Sequence, residues 1–271
     1  MSELLHFEFR RLFRRVSFYV CTGIVILSSV FIMFFIYSVS IVAGGYAKSP
    51  DFILQTIFPI SNLPTFVIIF ISIFGCEDYA KGTAKTIFSL GYPRWKIFTA
   101  KFITASTAST IMYCALLLLT ILLSNNSDTK VDTNYLLGPY ENTDPFYLIV
   151  LQQFTSILAI NTFIFLISEI VSKTGISIII GIFAPGIILG FVSFFCSMMN
   201  SMFFNDAEES VFTSINSFFT MYWLSSSNSM VYLLSQFSDS YDRVFAIIVN
   251  LFYVMIFGAL SLLCVTKKEI K

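Results

Sequence analysis

Residues Glu77–Lys101, EDYAKGTAKTIFSLGYPRWKIFTAK, form a polar interruption in an otherwise apolar chain. The stretch holds Lys81, Lys85, Arg94, Lys96 and Lys101, five of the sixteen Lys and Arg residues in 271. Apolar runs flank it on both sides. Gly91-Tyr92-Pro93 breaks it into two pieces, because Gly and Pro end helices. Before the break, Glu77 and Asp78 close one apolar run and can begin a short helix, where acids complement the amino-terminal dipole. Ala80, Ala84, Ile87, Phe88 and Leu90 give that helix an apolar side. After the break, Arg94, Lys96 and Lys101 lead into the next run.

Working outward, the chain is 56% hydrophobic and 12% charged. A soluble domain carries roughly 25% charged residues. A membrane-crossing helix takes roughly 20 apolar residues. Six stretches meet that length: 18–42, 57–76, 102–123, 146–170, 176–199 and 243–265. They are continuously apolar rather than alternating, so the expected fold is all-α, a single polytopic membrane domain over residues 1–271 and not a barrel. In the second run Pro59, Ser61, Asn62 and Pro64 interrupt one half. That run starts early and kinked, near Phe52, or late and short, after Pro64. Pro185 with Gly181, Gly186 and Gly190 predicts a bend and close helix contact in the fifth. The first run is too long for a signal-peptide core of roughly 7–15 residues.

Six spans put both termini on one side. That side holds thirteen basic residues: Arg10, Arg11, Arg14, Arg15, Lys81, Lys85, Arg94, Lys96, Lys101, Lys173, Lys267, Lys268 and Lys271. The other side holds Lys48, Lys130 and Arg243. Six acids lie on the first side and ten on the second, so the neutral total hides a difference of +7 against −7. The positive-inside bias makes both termini cytosolic. Tyr19, Tyr79, Tyr92 and Trp95 mark the inner boundary; Tyr46, Tyr135, Tyr140, Tyr147, Tyr222, Trp223 and Tyr241 mark the outer one. Cys21, Cys76, Cys114, Cys196 and Cys264 lie in or at the ends of spans, which argues for packing roles rather than disulfides or zinc.

The spans hold almost no ionisable residues. Glu169 is nearest to an exception, and Lys173 four residues on offers it an interfacial i,i+4 pair. Ion-coupled transporters usually carry charges near mid-bilayer. The single histidine, His6, lies outside the spans, and no hydrolase or metalloprotease motif sits at span depth, so no catalytic, cofactor or metal site is expected. No phosphate loop is present, so ATP could drive this chain only through a separate subunit.

On a helical wheel at roughly 100° per residue, residues 3–16 gather Leu5, Phe9, Leu12, Phe13 and Val16 on one face. Arg10, Arg11, Arg14 and Arg15 gather on the other, with Leu4 and Phe7 toward the basic side. Such a helix lies along the inner membrane surface with its arginines near anionic headgroups, or simply holds the amino terminus inside. The segment 201–242 is long for a connection. Its apolar pieces, Val211–Leu224 and Met230–Phe237, fit short re-entrant or surface-lying helices. Residues 124–145 read as a solvated loop.

Within the polar stretch, Glu77-Asp78, then Gly82-Thr83-x-Lys85-x-Ile87-x-Ser89, then Gly91-x-x-Arg94-x-Lys96, then Lys101, resembles ABC-2 type transporter permeases. The six-span layout, the amino-terminal helix and the long segment between spans five and six are similar as well. The Leu90-Gly91-Tyr92-Pro93 break departs from the family pattern. The resemblance implies the membrane subunit of an ATP-driven bacterial exporter. It implies a coupling helix between spans two and three, seated on cytosolic ABC ATPase subunits. Matched to the family motif, Glu77, Gly82, Thr83, Lys85 and Arg94 would couple. A second permease subunit, identical or different, would complete the pathway in the cell membrane. ATP and magnesium would bind the partner ATPase, and nucleic acid has no part. The cargo implied is amphipathic, such as an antimicrobial peptide, bacteriocin or drug in a Gram-positive bacterium. The alternative is a membrane scaffold or sensor that transports nothing.

Overall fold

The computed structural model describes residues 1–42, 63–80, 92–124, 146–204, 211–222 and 240–267. Among these the secondary structure is helical, without strands. Eight helices follow in order among the described residues: α1 (Ser2–Phe13), α2 (Val16–Val42), α3 (Leu63–Ala80), α4 (Arg94–Ser124), α5 (Phe146–Val171), α6 (Thr174–Phe204), α7 (Val211–Tyr222) and α8 (Ser240–Lys267). Four of them, α4, α5, α6 and α8, are long and apolar enough to cross a membrane. A fifth crossing arises if α1 and α2, bent by 59° at their junction, count as one.

The boundaries refine the expected runs. The second is described from Leu63, with Pro64 inside the helix; its expected earlier start near Phe52 lies outside the described residues. It then runs on to Ala80, so Glu77 and Asp78 lie in its last turn rather than opening a separate helix. The third begins at Arg94, not at 102: the carbonyl of Pro93 accepts the Lys96 N–H at 2.9 Å, and the basic lead-in is already helical. The helix that carries Pro185 is unbroken from Thr174 to Phe204. The expected helix at 211–224 is present as α7, which packs on α6. Residues 81–91, 125–145 and 230–237 lie outside the described residues.

The core is built around α5. It is mostly buried and packs against α3, α4, α6 and α8, whereas α6 and α8 leave most of their surface exposed. Between apolar helices in lipid there is no hydrophobic drive to associate, so small residues and hydrogen bonds hold them together. Polar side chains of α5 meet each neighbour. Asn161 donates to Ser109 of α4, and the Tyr113 hydroxyl of α4 donates to Gln153 Oε1 at 3.0 Å. Asn250 of α8 donates to Ser156 Oγ at 2.9 Å. Ser168 lies 3.0 Å from Ser177 of α6, which donates to Ser72 of α3 at 3.2 Å. A two-residue link, with Ser172 in the left-handed region (φ 57), folds α6 back beside α5.

Close approach is set at two glycines. A Cβ on Gly75 would meet Ser168 Cβ at 2.9 Å, and one on Gly181 would meet Ile164 Cδ1 at 2.7 Å. Gly186 and Gly190 face open space, so among the described residues only the first of the three expected contact glycines makes contact. Gly75→Leu must therefore force α3 away from α5, at a cost of about 1–3 kcal/mol, read as a lower melting temperature in detergent. Gly186→Leu should leave that temperature unchanged.

Candidate functional site

The amino-terminal helix, the end of α3 and the start of α4 converge on one ionic cluster. Asp78, in the last turn of α3 beyond its apolar run, is fully buried. Its carboxylate accepts from the Arg11 guanidinium of α1 and pairs with the Lys101 ammonium of α4. Glu77 pairs with Arg15 just past the end of α1 and lies 3.8 Å from Arg11. Glu8 lies 3.8 Å from Arg11, one turn along the same helix. Among the described residues three acids thus face three bases, and their charges balance. The Arg15 guanidinium also sits over the Phe74 ring, 4.5 Å from its centre. That contact suits a weakly hydrated, planar cation.

Local sequence explains the assembly. Glu8, Arg11 and Arg15 recur at spacings of three and four, so they share one side of the helix. The turn closes at Arg14–Arg15 through i→i−3 bonds to the carbonyls of Arg11 and Leu12, which bends the chain into α2. Burial alone would push the Asp78 carboxyl up, but Arg11 and Lys101 outweigh it and hold it well below the usual carboxylate range. Burial pushes Glu8 up, with Lys101 and Arg11 opposing.

Two further contacts tie the same end of the bundle. The Tyr79 hydroxyl donates to Glu169 of α5. Arg94, at the start of α4, donates to the Thr266 carbonyl at 3.2 Å. It thereby satisfies one of the orphan acceptors in the last turn of α8.

These contacts correct several expectations. The four arginines do not form one basic face. Arg11 and Arg15 turn into the protein, while Arg10 and Arg14 are exposed. Leu12 is buried and Phe9 packs on the core, but Phe13 and Val16 are exposed, because the helix ends and bends there. Glu169 partners Tyr79 rather than Lys173, since α5 stops at Val171 and Lys173 lies exposed beyond the break. Tyr79 is half-buried, while Tyr19, Tyr92 and Trp95 are exposed. Of the expected coupling residues, Glu77 and Arg94 both make contacts at this end. Gly82, Thr83 and Lys85 lie outside the described residues. Lys101, the last residue of the motif, joins the site through Asp78, and Glu8 joins it without having been singled out. The signal for them was the i, i+3, i+7 charge stripe and a lysine one helix away from paired acids.

All five cysteines are free thiols. Among the described residues no group of three or more His, Cys, Asp or Glu could hold a metal ion.

The cluster can hold three segments in register. Removing one partner of a buried ion pair strands the other, which costs about 3–5 kcal/mol. Asp78→Ala should lower the melting temperature strongly, and Arg14→Gln, at an exposed position, should not. Because Asp78 titrates lower folded than unfolded, its stabilisation is complete above its ordinary pKa, near about 4. It is lost as pH falls below that. The Asp78→Asn protein should lose this part of the acid dependence of melting.

Compared with known proteins, the chain matches no protein-family model and no curated protein.

Proposed function

We propose that this chain is the membrane-spanning permease subunit of an ATP-driven exporter of the ABC-2 type. In this reading it crosses the cell membrane six times with both termini cytosolic. The segment after α3 is the coupling helix, gripped by a separate ABC ATPase. The observation that carries the reading is the double hold on Asp78, by Arg11 of α1 and Lys101 of α4. It fixes both roots of the polar segment to one another and to the amino-terminal helix. A push on that segment would then move α3, α4 and α1 together instead of bending a slack loop.

Arg94 extends the hold to α8 through Thr266, and Tyr79 extends it to α5 through Glu169. Movement at the segment would reach the central helix by two routes. A second subunit would cover part of the exposed apolar surface of α6 and α8. The cargo would be amphipathic, in keeping with apolar spans that carry amides and hydroxyls but almost no charges. A scaffold or sensor that transports nothing is the second reading. The same cluster would then serve only to hold the fold.

The test is co-purification with the ABC ATPase of the same host, in wild type, Glu77→Ala and Gly82→Pro. The exporter reading predicts a stable wild-type complex whose ATP turnover falls severalfold in both variants. An unaltered complex and unaltered turnover in both variants would refute the coupling assignment. Absence of any ATPase would favour the scaffold.

A further inference from the structure

Helix α1 has two chemically different sides, and only one is used by the ionic cluster. At roughly 100° per residue, Glu3, His6, Phe7, Arg10, Phe13 and Arg14 fall within an arc of about 120°. All six are exposed. Phe7 is 54% exposed and Phe13 48%, although both are large and apolar. Arg10 and Arg14 stand along the same arc, each within one turn of a ring. On the opposite side lie Glu8, Arg11, Leu12 and Arg15, turned into the protein. Among the described residues the cluster is balanced without the exposed arginines.

The surroundings place this face beside a long apolar helix. Helix α1 meets α2 at 59°, and α2 is a long apolar helix. If α2 crosses the bilayer near its normal, α1 lies well away from that normal, at the boundary. Tyr19, one turn into α2, is exposed and donates to the Phe13 carbonyl at 3.0 Å, an interfacial position for an amphipathic ring. Alternating Phe and Arg on one exposed arc matches a headgroup layer, with rings toward the acyl chains and guanidinium groups toward phosphate.

We propose that the Phe7–Arg10–Phe13–Arg14 face of α1 is a binding surface for anionic phospholipid headgroups. It is not a free cytosolic surface, and it is not the face that the Leu5–Phe9–Leu12 stripe marks. Arg10 and Arg14 bind the phosphates while Phe7 and Phe13 sit below them. Each arginine near an anionic surface adds roughly fivefold to binding. The inference rests on reading the apolar helices as membrane spans, but not on transport or on an ATPase.

The test uses the purified full chain alone in nanodiscs, so it is independent of the exporter reading. Phe7→Trp is placed in a Trp95→Phe, Trp223→Phe background, which leaves a single indole on the exposed face of α1. The quencher is a spin label on either phosphatidylglycerol or phosphatidylcholine, close to the glycerol or near the acyl end. The fluorescence of the Phe7→Trp protein should be quenched several times more by the shallow label, and more by labelled phosphatidylglycerol than by labelled phosphatidylcholine. Arg10→Gln with Arg14→Gln should abolish the phosphatidylglycerol excess, and Arg10→Lys with Arg14→Lys should keep most of it. Circular dichroism and melting of the Gln pair should match the parent, since neither side chain is in the cluster. An unquenched indole, as expected if a protein or water covers the face, would overturn the proposal. So would equal quenching by the two lipids in the parent.

Discussion

The buried carboxylate of Asp78 is the constraint on which one end of this bundle depends. A full charge with no solvent contact is costly unless it is paired and hydrogen-bonded. Here the pairing comes from two other helices, Arg11 on α1 and Lys101 on α4. Once that requirement is met, the positions of α1, α3 and α4 cannot be chosen independently. Glu77 and Arg15 repeat the device one residue and one turn away. The 59° bend between α1 and α2 follows the same logic, because it lays the charged stripe of α1 against the end of α3.

The rest of the structure distributes polar groups sparingly. α5 turns an amide or hydroxyl toward three of its neighbours: Asn161 and Gln153 toward α4, Ser156 toward α8, Ser168 toward α6. In lipid such contacts fix register more than they add stability. Close packing at Gly75 and Gly181 brings α3 and α6 against the same helix. α6 and α8, by contrast, show Phe183, Ile187, Phe191, Phe252 and Met255 outward, a surface suited to lipid or another subunit.

Much of this was legible in the chain itself. Continuous apolar runs of about the right length mark α2, α4, α5, α6 and α8, because burying a backbone in hydrocarbon requires helices. Gly91-Tyr92-Pro93 marks the start of α4, and the piece at 211–224 marks α7. What was not legible required knowing which charges face each other. A helical wheel groups Arg10 and Arg14 with Arg11 and Arg15. Only the presence of Glu77 and Asp78 beside α1 separates them. Likewise, Glu169 and Lys173 are four apart in sequence, yet the break at Ser172 removes them from a common helix, and Glu169 accepts from Tyr79 instead. Paired acids suggest a boundary for α3 before Glu77, but their cations on α1 and α4 let the helix continue to Ala80.

The most direct measurement is a double-mutant cycle on the Arg15–Glu77 pair, which joins α1 to the last turn of α3. Arg15→Gln, Glu77→Gln and the combination would be melted in one detergent and at one salt concentration. A clamp that ties α1 to the root of the polar segment predicts a coupling energy clearly above about 1 kcal/mol, the ceiling of exposed pairs. Losses that simply add, to within about 0.5 kcal/mol, would show that the pair is not coupled and would contradict the account.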